Sequence, residues 1–303
     1  MSYPYLRRLP KFEYHSPTTV EEALSLLARY EGEARPIAGG TDLLIKMKRR
    51  EVTPLYLIGL KEIPGLDGMT YDQTSGLRIG PLVTLHTMET SSFIKKRYPV
   101  LSYASSLIGS LQIRNLGTVT GNVCNALPSA DMVPSLIVLG GKVKVVSGRE
   151  EKLISIEDFI IGPGETCLRS DELVTEIQVP TPPPSTGCAY IKHTQREAMD
   201  LAIVSVAVLI TLEGDACKES RICLGTVGPT PMRAKRAEEV LMGKIFDDQT
   251  IGEASEEASE EAQPRTTLRG SAWYRKEMVK VLTERALKKA REEARGLENV
   301  SED

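Results

Sequence analysis

Two stretches carry the residues whose types and spacing suit chemistry. In PIAGGTDL (residues 36–43) two glycines follow a short apolar run. Backbone N–H groups there can approach a ligand closely, and a helix opening after them would add donors suited to phosphate. A plain strand-to-helix turn, with Thr41 or Asp42 as its cap, uses the same residues. In GTVTGNVCNALPSAD (residues 117–131), Thr118, Thr120 and Asn122 offer side-chain hydrogen bonds, and Gly117 and Gly121 permit close approach. Asp131 adds a carboxylate suited to paired hydroxyls such as those of a ribose. The alternative is a loop of buried turns in which Asp131 caps a following helix. Two glycine turns far apart are not a single Gly-x-Gly-x-x-Gly loop, so the Rossmann fingerprint is absent and another dinucleotide fold is indicated.

The elements that must position these stretches follow from periodicity. Val20, Ala23, Leu24 and Leu27 have helical spacing, with Thr19 and Glu22 placed as a capping box. The run 35–38 reads as a strand and 43–48 as the start of a helix, giving the order helix, strand, glycine turn, helix. Residues 56–60, 77–80, 142–146 and 173–179 read as strands, and 91–107 as mainly helical. The proline-rich segment 180–187 is a stiff connector and the expected domain boundary. Beyond it, 189–192, 202–212 and 220–227 read as three strands, the middle one so apolar that both its faces must be buried. Helices are expected over 233–241, 252–262 and 273–294. The second unit is thus an α+β domain, a three-stranded antiparallel sheet with helices.

Composition narrows the function classes. The chain has 303 residues, 41% of them hydrophobic, enough for two or three packed units. A net charge of −3 with no basic stripe argues against nucleic acid. No apolar run reaches the roughly 18–20 residues of a membrane span, and the first residues lack a secretory signal, so the expected location is cytoplasmic. The five cysteines are scattered without a Cys-x-x-Cys pair and the three histidines lie far apart. Neither a disulfide framework nor a metal site is written here, so any redox chemistry needs an organic cofactor or a partner.

AGGTDL (38–43) together with TVTGNVCNALPSAD (118–131) resembles the FAD-binding subunit, or medium chain, of the molybdenum hydroxylases. That family includes xanthine dehydrogenases, aerobic carbon monoxide dehydrogenase, nicotinate dehydrogenase and 4-hydroxybenzoyl-CoA reductase. The likeness continues through LVTEIQVP (173–180) and YIKHTQREAMDLA (190–202) to the helix beginning at Trp273, nearly the whole chain. It implies a vanillyl-alcohol-oxidase-like (PCMH-type) FAD-binding domain over 1–180, in two α+β lobes divided near residue 60. The connector 181–187, a CO-dehydrogenase-flavoprotein-like domain over 188–296 and a disordered tail over 297–303 would follow. By position, Pro36, Ile37, Ala38, Gly39, Gly40, Thr41, Asp42 and Leu43 would hold the FAD pyrophosphate through backbone amides, with Leu43 near the isoalloxazine. Thr118, Val119, Thr120, Gly121 and Asn122 would form the second pyrophosphate loop, and Asp131 would bind a sugar hydroxyl. Ile108 matches a cofactor-lining position that is aromatic in the animal enzymes. Val174 matches an apolar or backbone contact and Lys192 a lysine near the flavin, although a solvated strand lysine is the plain alternative.

Two departures from the family pattern stand out. Thr120 replaces the first glycine of the usual Thr-Ile-Gly-Gly-Asn, where a side chain either narrows the approach to phosphate or adds a hydroxyl donor. The four-cysteine insert of 4-hydroxybenzoyl-CoA reductase is missing. The resemblance implies an electron relay: a molybdopterin-containing large subunit hydroxylates a substrate, and [2Fe-2S] clusters of a small subunit pass single electrons. Those electrons would gather on FAD here and leave to NAD, ferredoxin or quinone. No residue of this chain is then expected to act as nucleophile, acid or metal ligand. Lys192 would stabilise negative charge on reduced flavin, and Asp200 would orient nearby groups or simply shape a turn. The rival readings are a self-contained FAD-dependent oxidoreductase with a base such as His193, and a scaffold without cofactor, for which Thr120 is the hint.

Overall fold

The computed structural model describes residues 8–296, so the tail expected over 297–303 lies outside the described residues. The chain opens with β1 (Glu13–His15), α1 (Val20–Arg29), β2 (Ala34–Ile37), α2 (Leu43–Arg49) and β3 (Tyr56–Gly59). β3 lies between β1 and β2 and is parallel to both, with Ile58 opposite His15 and Pro36. Parallel neighbours require crossovers, which α1 and α2 supply. The Thr19 hydroxyl accepts from the Glu22 N–H at 3.1 Å, whereas the Glu22 carboxylate accepts from Thr18 N–H at 2.8 Å. The capping box therefore forms with its reciprocal bond shifted by one residue. Ala23, Leu24 and Leu27 bury the inner face of α1 against Ala34 and Ile58.

The second unit begins with β4 (Met69–Asp72) and β5 (Gly76–Ile79) and continues through α3 (Leu85–Thr90), α4 (Ser92–Arg97), α5 (Pro99–Ser106), α6 (Leu111–Arg114), α7 (Val119–Cys124) and α8 (Met132–Val138). It closes with β6 (Lys142–Val146), β7 (Glu151–Ser155), α9 (Ile156–Phe159), β8 (Ile160–Gly162), β9 (Glu165–Thr166) and β10 (Leu173–Val179). Five strands form an antiparallel sheet in the order β4-β5-β10-β6-β7, and β8 pairs with β9 alone. The helical run expected over 91–107 divides at Tyr98, because Pro99 has no N–H to continue a helix and starts a new one instead.

The last unit holds β11 (Thr186–His193), β12 (Val204–Glu213), β13 (Ala216–Gly225), β14 (Met232–Arg233), α10 (Lys235–Leu241), α11 (Asp248–Glu261) and α12 (Ala272–Ala294). The three expected strands are present and antiparallel, and β14 adds a fourth at the edge, paired with Cys223 and Leu224. A two-residue strand is too short to leave a periodic signal. β11 starts inside the segment read as a connector: Thr186 and Gly187 pair with Thr211 and Ile210.

The apolar character of β12 has a clear cause. Val204, Val206, Val208 and Ile210 join the core beneath α10, α11 and α12, while Ala207 and Leu209 join the core that contains α5 and α8. Alternate residues of one strand thus serve two cores, which explains a run that shows no polar face. Gly187 lets α12 lie directly on β11, since a Cβ there would collide with the Ala290 carbonyl. Gly187→Ala is accordingly expected to cost about 1–3 kcal/mol as an overpacking change, measured as a lower urea midpoint with an unchanged slope.

Candidate functional site

β2 ends at Ile37, opposite Gly59, and the chain turns out of the sheet through Ala38–Asp42 into α2. Gly40 has φ of +72°, the left-handed region that glycine enters without strain. Gly39 is needed for a different reason: a Cβ there would collide with the carbonyl of Leu116. The two glycine stretches therefore touch backbone to backbone. Leu116–Thr118 is fixed in turn, because Gly117 N–H donates to Ile113 O at 2.7 Å and Leu85 N–H to Gly117 O at 2.9 Å. The Thr118 hydroxyl then caps α7, accepting from Gly121 N–H at 2.9 Å.

These stretches line one cleft of about 590 Å³, together with Ile108, Pro81, Leu85 and the segment around Thr166–Val174. On its wall stand Pro36, Ile37, Ala38, Gly39, Gly40, Thr41, Asp42, Leu43, Ile108, Thr118, Thr120, Gly121, Asn122 and Val174. Val119, Asp131 and Lys192 do not. Val119 points into the core and its N–H donates to Val83 O at 3.1 Å. Asp131 does not cap α8, whose Met132 N–H donates instead to the Asn122 side-chain oxygen at 3.2 Å.

Asp131 is held by the last sheet. Tyr190 and Lys192, two apart on β11 and so on one face, donate to its two oxygens at 2.8 and 2.9 Å. Lys192 also donates to Leu107 O at 3.0 Å, on the residue that precedes the cleft-lining Ile108 in the chain. The side chains of Lys192 and Asp131 are only 6% and 8% exposed, so Lys192 is not a solvated strand lysine. Burial raises the Asp131 carboxyl above its ordinary range, against the pull of the Lys192 ammonium and the two hydrogen bonds.

Residues 10–182 match the family model for the FAD binding domain in molybdopterin dehydrogenase, and residues 189–290 that for the CO dehydrogenase flavoprotein C-terminal domain. The chain belongs to the FAD-binding medium subunits of the molybdenum hydroxylases. It is 34% identical over 284 residues to the carbon monoxide dehydrogenase medium chain of Afipia carboxidovorans, covering 94% of this chain and 98% of that one. It is 30% identical over 278 residues to the xanthine dehydrogenase FAD-binding subunit of Escherichia coli O157:H7, covering 91% and 95%. The solved carbon monoxide dehydrogenase of Hydrogenophaga pseudoflava superposes with a TM-score of 0.89 at 32% identity, over 93% of this chain and 98% of its counterpart. The chain is an oxidoreductase subunit and its cofactor is FAD.

The residues present fit that cofactor. The N–H groups of Gly39, Gly40, Thr41 and Asp42 have no protein acceptor among the described residues. Thr120 stands on the cleft wall and its buried hydroxyl has no partner among the described residues, an arrangement that costs free energy unless a ligand completes it. Thr120 occupies regular α7 backbone, so the threonine imposes no conformational strain there. Motif reading missed Lys46, Cys124 and Asn125 on the wall, and the segment 164–173, most of whose residues line it. Lys46 was signalled only by its place one turn along the helix that the glycine loop opens, and 164–173 by nothing periodic. Burial pushes the Cys124 thiol up to about 12, which keeps it protonated and unreactive at neutral pH.

The buried pair yields a stability prediction. Lys192→Met leaves a buried carboxylate without its counter-charge and is expected to cost about 3–5 kcal/mol near pH 7. A further Asp131→Asn change should recover part of that loss in a urea-denaturation cycle. Without the ammonium the raised Asp131 pKa rises further, so the folded state of Lys192→Met takes up a proton at higher pH than the unfolded chain. Its deficit should therefore be smallest below the ordinary carboxylate range and grow as pH climbs through the folded value.

Proposed function

We propose that this chain is the electron-transfer subunit of a heterooligomeric molybdenum hydroxylase. It takes electrons from [2Fe-2S] clusters of a small partner subunit, fed by a molybdopterin-containing large subunit. It passes them on to an external acceptor such as NAD, ferredoxin or quinone. FAD, when bound, accepts electrons singly and releases them in pairs, which suits a junction between one-electron clusters and a two-electron acceptor. The chain's own residues bind, orient and shield.

The observation that carries this reading is the make-up of the cleft wall. It combines unpaired backbone amides and the Thr120 hydroxyl with apolar side chains, and among the described residues no histidine stands on it. Such a wall grips an anionic dinucleotide and leaves its chemistry to the cofactor. His193, the base that a self-contained oxidoreductase would require, shares a 2.8 Å hydrogen bond with the Tyr274 hydroxyl off the cleft wall. Asp200 accepts from the N–H groups of Gln195, Arg196 and Leu201, so it shapes its own turn. In this proposal Gly39–Asp42 and Thr118–Asn122 face the pyrophosphate, while Asp131 and Lys192 act from behind the wall by holding Leu107 beside Ile108.

Purified chain is expected to bind FAD and show a flavin spectrum. Failure to bind it, alone and with partner subunits, would sink the proposal. Thr120→Val should weaken binding about tenfold or more, as expected for a lost hydrogen bond to a charged group, whereas Thr120→Ser should bind like the native chain. Addition of a dithionite-reduced [2Fe-2S] subunit, freed of excess dithionite, should bleach the flavin absorbance. Reduction of the isolated chain by a small organic substrate would instead favour the self-contained oxidoreductase.

A further inference from the structure

Lys46 joins the two sides of the cleft. It sits on α2, just beyond the glycine loop, and its backbone N–H donates to Asp42 O at 2.9 Å. Its ammonium donates to the side-chain oxygen of Asn125 at 2.6 Å, on the residue that ends α7 across the cleft. Both residues stand on the wall. Among the described residues no carboxylate lies within ion-pair distance of Lys46, and Asp42, one turn earlier, is exposed to solvent.

The other cations on the wall differ from it, Arg35 in being exposed to solvent and Arg169 in being paired with carboxylates. Arg35 donates through Nη1 to the carbonyls of Gly32 and Ala34 at 3.1 and 2.9 Å. Arg169 pairs with Glu150, Asp171 and Glu172 at 3.0, 3.4 and 3.2 Å. An ammonium carries three donors, and a single neutral acceptor on Asn125 uses one and cancels no charge. Among the described residues Lys46 thus has no counter-charge and two donors without a protein acceptor, in the same cleft as the amides of the glycine loop, which also lack one, and Thr120, whose hydroxyl has no partner.

We propose that Lys46 is the cationic contact for the cofactor's pyrophosphate and that Asn125 is a positioning residue that holds its ammonium across the cleft. The inference rests on the FAD reading of this cleft and adds a charged contact outside both glycine stretches. A diphosphate brings two negative charges, and a half-buried ammonium is screened less by water and salt than one on the open surface. Asn125 matters because a free lysine side chain loses rotamer entropy when it binds, and a tethered one has already lost it.

Equilibrium titration of the full chain with FAD, ADP and riboflavin, at low and high salt, tests this. Lys46→Met is expected to weaken FAD and ADP about tenfold or more, to flatten the salt dependence of both, and to leave riboflavin binding within about twofold. Lys46→Arg should retain most of the FAD affinity. Asn125→Asp, which gives the ammonium a carboxylate, should weaken FAD and ADP and again spare riboflavin. If the native chain binds FAD and Lys46→Met and Lys46→Gln bind it equally well, the role of Lys46 is overturned while the FAD reading stands. Equal losses for riboflavin and FAD would likewise overturn it, because they report a damaged cleft and not a phosphate contact. A native chain that binds none of the three ligands removes the FAD reading itself. Thermal melts confirm that each variant is folded before titration.

Discussion

Gly39 lies against the Leu116 carbonyl with no room for a side chain between them, and the cleft takes its form from that contact. Two backbone segments, one leaving β2 and the other joining α6 to α7, approach as closely as a glycine allows, so their donors open onto one space. Everything that stiffens either segment then sets the geometry of the other. The turn at Gly40, the Ile113–Gly117 and Leu85–Gly117 hydrogen bonds and the Thr118 cap all serve this end. A binding wall made largely of main chain needs such bracing, because amide groups cannot be aimed by choosing a rotamer.

Much of this was legible in the sequence. The glycine pair, the Thr19 cap and the apolar run of β12 each follow from a local rule that tertiary structure did not override. What escaped depended on partners distant in the chain. Asp131 looked like a ligand-binding or capping carboxylate, but its oxygens are taken by Tyr190 and Lys192, about sixty residues away, and the cap that α8 needed comes from Asn122. Lys46 carried no motif, because its meaning lies in Asn125 on the other wall. The segment 164–173 contributes to the cleft through irregular backbone, which has no periodic signature. The strand start at Thr186 was hidden by the prolines before it, which read as a connector up to the first apolar residues.

The Asp131–Lys192 pair and the two-sided sheet are parts of one junction. Tyr190 and Lys192 reach from β11 toward the helices of the preceding unit, beside Ala207, Leu209 and Cys223, which pack among α5 and α8. A buried polar network adds little net stability over a well-packed apolar one, yet it tolerates few alternative arrangements. Here it ties β11 to Asp131 beside α8 and to Leu107 at the end of α5, the chain neighbour of the cleft-lining Ile108.

Because β12 feeds two cores, the chain cannot finish its first large unit when β10 has been made. A nascent polypeptide halted at that point would expose apolar sides of α5 and α8 that pack against β11, β12 and β13. Those strands lie C-terminal to every glycine of the cleft, and α12, which covers their other side, comes last of all. The cofactor-binding loops are thus among the earlier parts to be synthesised, while the strand that reaches their wall through Leu107 follows later in the chain.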